Sequence, residues 1–194
     1  MKKGYMHIWL GVVLLMSISS LKAQQVGINT NLLYWGTTTP NIGIEAAVSK
    51  KITIDIQGAY NPWRFGSKED NKKIKHWVIQ PEVRFWNCEK FNGSFWGIHS
   101  FYGMYNMGGV ELPLGILPGM KNHRYEGYFV GGGISYGYQW YLGKRWNLQA
   151  VLGVGYAFTD YKKYECRLCG DYIGKDTRHY VGPTKIGLSL IYLL

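Results

Sequence analysis

The stretch from Glu126 to Asp160 constrains the fold more than any other, because it alternates with a period of two through two long runs joined by Gly143-Lys144-Arg145. Tyr128, Val130, Ile134, Tyr136, Tyr138, Trp140 and Leu142 share one parity, and Gly127, Gly131, Gly133, Ser135, Gly137 and Gln139 share the other. After the turn, Trp146, Leu148, Ala150, Leu152, Val154, Tyr156 and Phe158 alternate with Asn147, Gln149, Gly153, Gly155 and Ala157. Side chains on a strand point to opposite faces in turn, so these are strands of one hairpin. A soluble sandwich hides its apolar face and wets a charged one. Here the second face is small and polar, and aromatics gather at the turn, as expected of a tight transmembrane barrel with a polar lumen and an interfacial aromatic girdle.

The same alternation predicts six more strands. The first runs from Val26 to Trp35, where Val26, Ile28, Thr30, Leu32 and Tyr34 alternate with Gly27, Asn29, Asn31, Leu33 and Trp35, and Thr37-Thr38-Thr39-Pro40 leads to the second, with Glu45 inward. Lys50-Lys51 makes a tight turn into the third, which places Thr53, Asp55 and Gln57 inward. The fourth sets Gln80, Glu82, Arg84 and Trp86 against Trp77, Ile79, Val83 and Phe85, and Pro81 within it calls for a bulge or a missing ladder bond. The fifth covers about 93–105 with Trp96, Ile98, Tyr102 and Met104 outward, and the eighth ends the chain with Lys185 and Ser189 inward. Long polar loops are expected at 61–75, 106–125 and 161–179. The fold class is therefore all-β, an eight-stranded antiparallel transmembrane β-barrel with short periplasmic turns on one rim and longer extracellular loops on the other. Trp86, Trp140, Trp146 and Tyr192 are expected to girdle the short-turn rim, and Tyr34, Tyr60, Trp63, Tyr105 and Tyr156 the other.

Such a barrel needs an export signal. Lys2 and Lys3 precede an apolar run from Ile8 to Ile18, and a cut after Ala23 would leave a signal peptide at 1–23 and a barrel domain at 24–194. The whole chain has 22 basic and 12 acidic residues, so loss of Lys2, Lys3 and Lys22 leaves 19 against 12, a formal +7. That excess on an exported protein points to lipopolysaccharide phosphates and outer-membrane lipid as partners, not to nucleic acid.

Carboxylates at Glu45, Asp55 and Glu82, with Arg84 and Lys185, are expected to form an ionic network in the lumen. Paired carboxylates can also be a general acid and base, but a packed barrel gives substrate no entry. His99 and Ser100 are adjacent and so point to opposite faces, no Gly-x-Ser-x-Gly elbow is present, and no catalytic residue, metal site or cofactor is expected. Cys166 and Cys169 fall in the last loop, where a zinc site would lack ligands and an oxidising compartment favours a disulfide, leaving Cys88 as the odd thiol. In the first loop Trp63, Arg64, Lys68, Lys72, Lys73 and Lys75 make a basic, aromatic surface suited to an acidic protein or lipid phosphate.

Asn31-Leu32-Leu33-Tyr34, Thr39-Pro40-Asn41 with Glu45, Tyr60-Asn61-Pro62-Trp63, His76-Trp77 with Gln80-Pro81-Glu82 and Arg84-Phe85-Trp86, Gly133-Ile134-Ser135-Tyr136-Gly137-Tyr138, and Gly182-Pro183-Thr184-Lys185 together resemble an uncharacterised family of Bacteroidota outer-membrane β-barrels. That family is carried as a domain of unknown function. The resemblance implies a bacterial outer-membrane location and genes often beside fimbrial clusters, with no catalytic residues to transfer. The expected function is non-enzymatic: a monomeric barrel that anchors or assists a fimbria-like surface assembly, or supports the envelope, through its extracellular loops. The alternatives are an outer-membrane lipid-modifying enzyme and a narrow channel.

Overall fold

The computed structural model describes residues 25–64, 73–109, 123–165 and 170–194. The leader, Lys68, Lys72, Cys166 and Cys169 lie outside the described residues. The strands are β1 (Val26–Asn31), β2 (Asn41–Ala47), β3 (Ile52–Asn61), β4 (Lys73–Trp86), β5 (Gly93–Gly108), β6 (His123–Gly143), β7 (Trp146–Glu165) and β8 (Tyr172–Leu193), with one short helix, α1 (Leu32–Gly36), after β1. Each strand pairs antiparallel with the next, and β8 returns to β1 from Gly27↔Leu193 to Asn31↔Ser189, closing the sheet into a barrel. Closure removes the sheet edges that would otherwise leave ladder donors and acceptors unpaired.

Facing follows the alternation. Outward positions such as Ile44, Ile56, Trp96, Ile98, Ile134, Leu152 and Ile186 are exposed, while Glu45, Asp55, Glu82, Arg84, Gln139 and Gln149 are almost completely enclosed. The expected outward set on β5 is in place, with Trp96 at 52 % and Ile98 at 60 % exposure against 2 % for the inward-facing His99 that follows. The glycines on the inward face permit the tight curvature. Gly133 and Gly155 are register partners, and a Cβ on either would collide with the backbone of the facing strand, at Val154 O or Gly132 O.

Four expectations are corrected. Strand β1 stops at Asn31 and does not continue to Trp35, because the Asn31 side chain accepts from Leu33 N at 3.1 Å and caps α1. That same oxygen accepts from Leu188 N at 3.2 Å, so the cap also ties α1 to β8. The loop expected at 161–179 is, among its described residues, largely strand, since β7 runs to Glu165 and β8 starts at Tyr172, and strands also enter the ends of the other two expected loops, β4 starting at Lys73, β5 reaching Gly108 and β6 starting at His123. Their polar residues decorate ladders that rise beyond the closed barrel. Trp86 is not a girdle residue: it is 3 % exposed, its indole donates to Thr53 Oγ1 at 2.9 Å, and its ring lies 4.8 Å from that of Phe95. Tyr105 is likewise turned inward, 6 % exposed, with its hydroxyl 2.8 Å from Thr159 Oγ1.

Pro81 sits opposite Ile56 on β3, and on the β5 side the ladder pairs Ile79↔Tyr102 and Glu82↔His99 with no pairs between and no shift of register. The missing bond, and no bulge, accommodates the proline. In the β4–β5 turn Phe91 adopts φ 62°, a left-handed conformation that costs a non-glycine residue about 1–3 kcal/mol. It places the buried Phe91 ring against Trp86 at 6.2 Å, while Asn147 donates to Phe91 O at 3.0 Å. Phe91, Trp86, Phe95, Val151 and Ile191 thereby close the short-turn end of the lumen.

Candidate functional site

Above that aromatic floor the lumen holds a charged cluster centred on Arg84. Its strand is central in the register, so three neighbouring ladders bring acids to it: β2 contributes Glu45, β3 Asp55 and β4 itself Glu82, with Glu45↔Asp55 and Asp55↔Glu82 as direct cross-strand partners. Arg84 Nη1 donates to Glu45 Oε2 at 2.5 Å, Nη2 to Asp55 Oδ2 at 2.8 Å and Nε to Glu82 Oε2 at 2.6 Å. Lys185 Nζ reaches the same Glu82 oxygen at 2.9 Å from β8, so all five expected members meet.

The remaining acceptor positions are filled by neutral donors. Thr53 donates to Glu45 Oε1 at 2.5 Å, Ser135 to Glu82 Oε1 at 2.5 Å and Asn29 Nδ2 to Asp55 Oδ1 at 2.7 Å, while Gln149 Oε1 accepts from Arg84 Nη1 at 3.0 Å. Satisfied lone pairs and donors are what make buried charge tolerable. A Cβ on Gly97 would fall on Ser135 Oγ and the Glu82 carboxylate, so the cluster needs a glycine there. Thr53, Ser135, Asn29 and Gln149 share the inward parity, which is the only sign of them in the sequence; their pairing depends on register.

Together the floor and the cluster fill the cross-section. Every carboxylate oxygen of the three acids is engaged by a cation or a neutral donor, so the arrangement braces six strands, β1–β4, β6 and β8, and offers no free acid to a reactant. His99 faces inward and bonds Thr184 Oγ1 through Nε2 at 2.9 Å, whereas Ser100 is exposed on the outer face, as their adjacency requires. His179 lies on the outer wall with Nδ1 2.5 Å from the Tyr156 hydroxyl, and that bond supplies neither a serine nor an aspartate. Among the described residues no group of three or more His, Cys, Asp or Glu could hold a metal ion.

The second cluster is on the outer face, beside the tall wall formed by the long strands β5–β8. The expected basic residues distribute unevenly there. Trp63 is exposed and donates its indole N–H to Thr38 O at 2.8 Å, pinning the β1–β2 connection. Arg64 and Lys73 pair as an isolated bridge, and Lys73 is only 6 % exposed. Lys75 joins Glu126, Asp160, Lys162 and Lys175 in a cleft of about 500 Å³ whose inner border is Tyr60, Trp77 and Tyr128. Lys175 Nζ is 2.8 Å from Asp160 Oδ2, and the Arg124 guanidinium stacks 4.3 Å from the Tyr164 ring. Charges from β4, β6, β7 and β8 thus sit directly beyond an aromatic row, an arrangement that no single loop encodes.

The family model described as "Protein of unknown function (DUF3575)" matches residues 9–194. The chain belongs to this family. The match spans almost the whole sequence, so the barrel, its ionic cluster and its tall wall all fall within the family's extent. No curated protein and no solved structure matches the chain. Cys88, exposed in the β4–β5 turn, is a free thiol.

Proposed function

We propose that this protein is a small bacterial outer-membrane β-barrel of non-enzymatic type, which anchors or assists a surface assembly, or supports the envelope, through the tall wall formed by β5–β8 and its loops. The observation that carries the reading is the inside-out distribution of polarity. The outer face presents Ile42, Ile44, Trp96, Ile98, Ile134, Leu152, Val154 and Ile186 at half exposure or more, while the inner face buries three carboxylates, an arginine and a lysine. In water that arrangement would be costly on both counts; in a bilayer the apolar belt faces hydrocarbon and the closed ladder satisfies the backbone. A filled lumen weighs against a channel.

The tall wall supports the surface role. Beyond Asn31↔Ser189 no β1 residue pairs with β8, so among the described residues the upper part of β8 lacks a strand neighbour on that side. Val181 there is 81 % exposed. An unpaired strand edge of this kind offers main-chain groups to an extended segment of another protein. The cationic cleft beside it suits the phosphates of lipopolysaccharide.

The test is to shorten the three outer loops, together with the β7–β8 extension, to tight turns. The truncated barrel is expected to insert and to remain heat-modifiable, yet to leave the phenotype of a deletion strain unrepaired. Full complementation, or deacylation of lipid A by the purified protein, would overturn the reading.

A further inference from the structure

The inner surface of the tall wall carries a cavity that the ionic cluster and the floor do not use. It lies on the lumen side of β5–β8, has a volume of about 240 Å³, and is bounded by Phe101, Met107, Phe129, Ala157 and Pro183, by Arg178, and by the hydroxyl-bearing Tyr105, Thr159, Tyr180 and Thr184. The residues Arg178–Thr184 lie beyond the last β1–β8 pair, so this part of the wall stands past the end of β1 and faces the outer rim. Phe101, Phe129, Ala157 and Pro183 carry no polar side-chain atom, Met107 offers only a weak thioether acceptor, and the hydroxyls are already engaged, Tyr105 with Thr159, Thr184 with His99 and Tyr180 with Pro183 O. A water there would find few of the two to four partners it needs, and apolar cavities of this kind take apolar guests.

Arg178 changes the chemistry at one end. Its register partner is Thr159, whose hydroxyl bonds Tyr105, so the guanidinium projects to the same inner face beside Tyr125 and Tyr161. Among the described residues it makes no ion pair and no side-chain hydrogen bond. The acid nearest in sequence, Asp176, interacts with Tyr161. A planar fork of donors at the end of an apolar cavity matches a carboxylate on a hydrocarbon chain. If a methylene occupies about the 30 Å³ of a water, the cavity holds a chain of on the order of eight carbons.

We propose that this cavity is a binding site for a medium-chain monocarboxylate, with the chain among Phe101, Met107 and Phe129 and the carboxylate on Arg178. The site is independent of the partner-binding role of the outer surface, and it would stand if that role failed.

Two methionines make the test specific, since the Met107 methyl lines the cavity whereas Met104 is 47 % exposed on the outer wall. Methyl-labelled full-length protein in nanodiscs is titrated with octanoate. A saturable shift of the Met107 resonance with Met104 unmoved is expected. Arg178→Gln is expected to weaken octanoate by about tenfold or more while leaving octanol unaffected, as loss of a charge-assisted bond requires. Ala157→Phe, or Ala157→Leu where the larger side chain prevents folding, is expected to abolish the Met107 shift by filling the cavity. Equal movement of Met104 and Met107 would mean simple partition into the surrounding lipid and overturn the proposal. So would octanoate binding unchanged in Arg178→Gln, or an unaltered Met107 shift in a folded Ala157 variant.

Discussion

Replacing Arg84 and replacing Glu45 should have very different consequences, although the two side chains touch at 2.5 Å. The cluster contains three carboxylates and two cations, a formal sum of −1 when all are ionised. Arg84→Met removes the only group bonded to all three acids and leaves Lys185 alone against them, a formal −2, whereas Glu45→Gln takes away one acid and brings the sum to zero. Stranding buried charge costs about 3–5 kcal/mol, and here Arg84→Met strands two carboxylates that Lys185 does not reach. Glu45→Gln keeps the shape and an amide oxygen to accept from Arg84, so its cost should stay near that of one neutral hydrogen bond, about 0.5–1.5 kcal/mol. The assay is reversible urea unfolding of the refolded barrel in lipid vesicles, with both variants compared with the parent at neutral pH. Equal losses for the two substitutions would refute the charge argument, and unchanged midpoints for both would refute the cluster itself.

Trp86→Ala should cost about 3–5 kcal/mol by emptying the lumen floor, read as a lower temperature for conversion from the compact to the extended gel band; an unchanged temperature would mean that Phe91 and Phe95 suffice to close that end. Cys88 should resist a membrane-impermeant maleimide in intact cells and react once the outer membrane is opened, because it sits in the rim opposite the tall wall; labelling in intact cells would invert the assigned orientation.

Much of the barrel was legible because alternation with a period of two reports which side of a strand each residue occupies. Lys185, Glu45, Asp55, Glu82 and Arg84 could be assigned to one lumen on parity alone, long before their distances were known. Parity says nothing about where a strand ends. The polar run 161–179 read as a loop, yet most of its described residues lie in the β7–β8 ladder, because a ladder with both faces partly exposed tolerates Lys162, Lys175, Asp176 and Arg178 on either face. Asn31 ended β1 for a local reason, a side chain that satisfies a helix N–H, which competes with strand pairing. Trp86 was misplaced by composition: tryptophan near a rim suggests an interface, but its inward parity had already placed it beneath Arg84. The cavity on the tall wall had no signature at all, since Phe101, Phe129 and Arg178 come together only through the register of β5–β8.

The inside-out polarity is tested most directly by two variants that each retain one tryptophan, Trp96 or Trp86, reconstituted in vesicles whose acyl chains carry bromine. Trp96 is 52 % exposed on the outer wall and Trp86 is 3 % exposed beneath the cluster. The account predicts strong quenching of Trp96 by brominated lipid, and little quenching of Trp86 by either lipid or aqueous iodide. Quenching of Trp96 by iodide but not by brominated lipid would contradict it, because the apolar outer face would then be facing water.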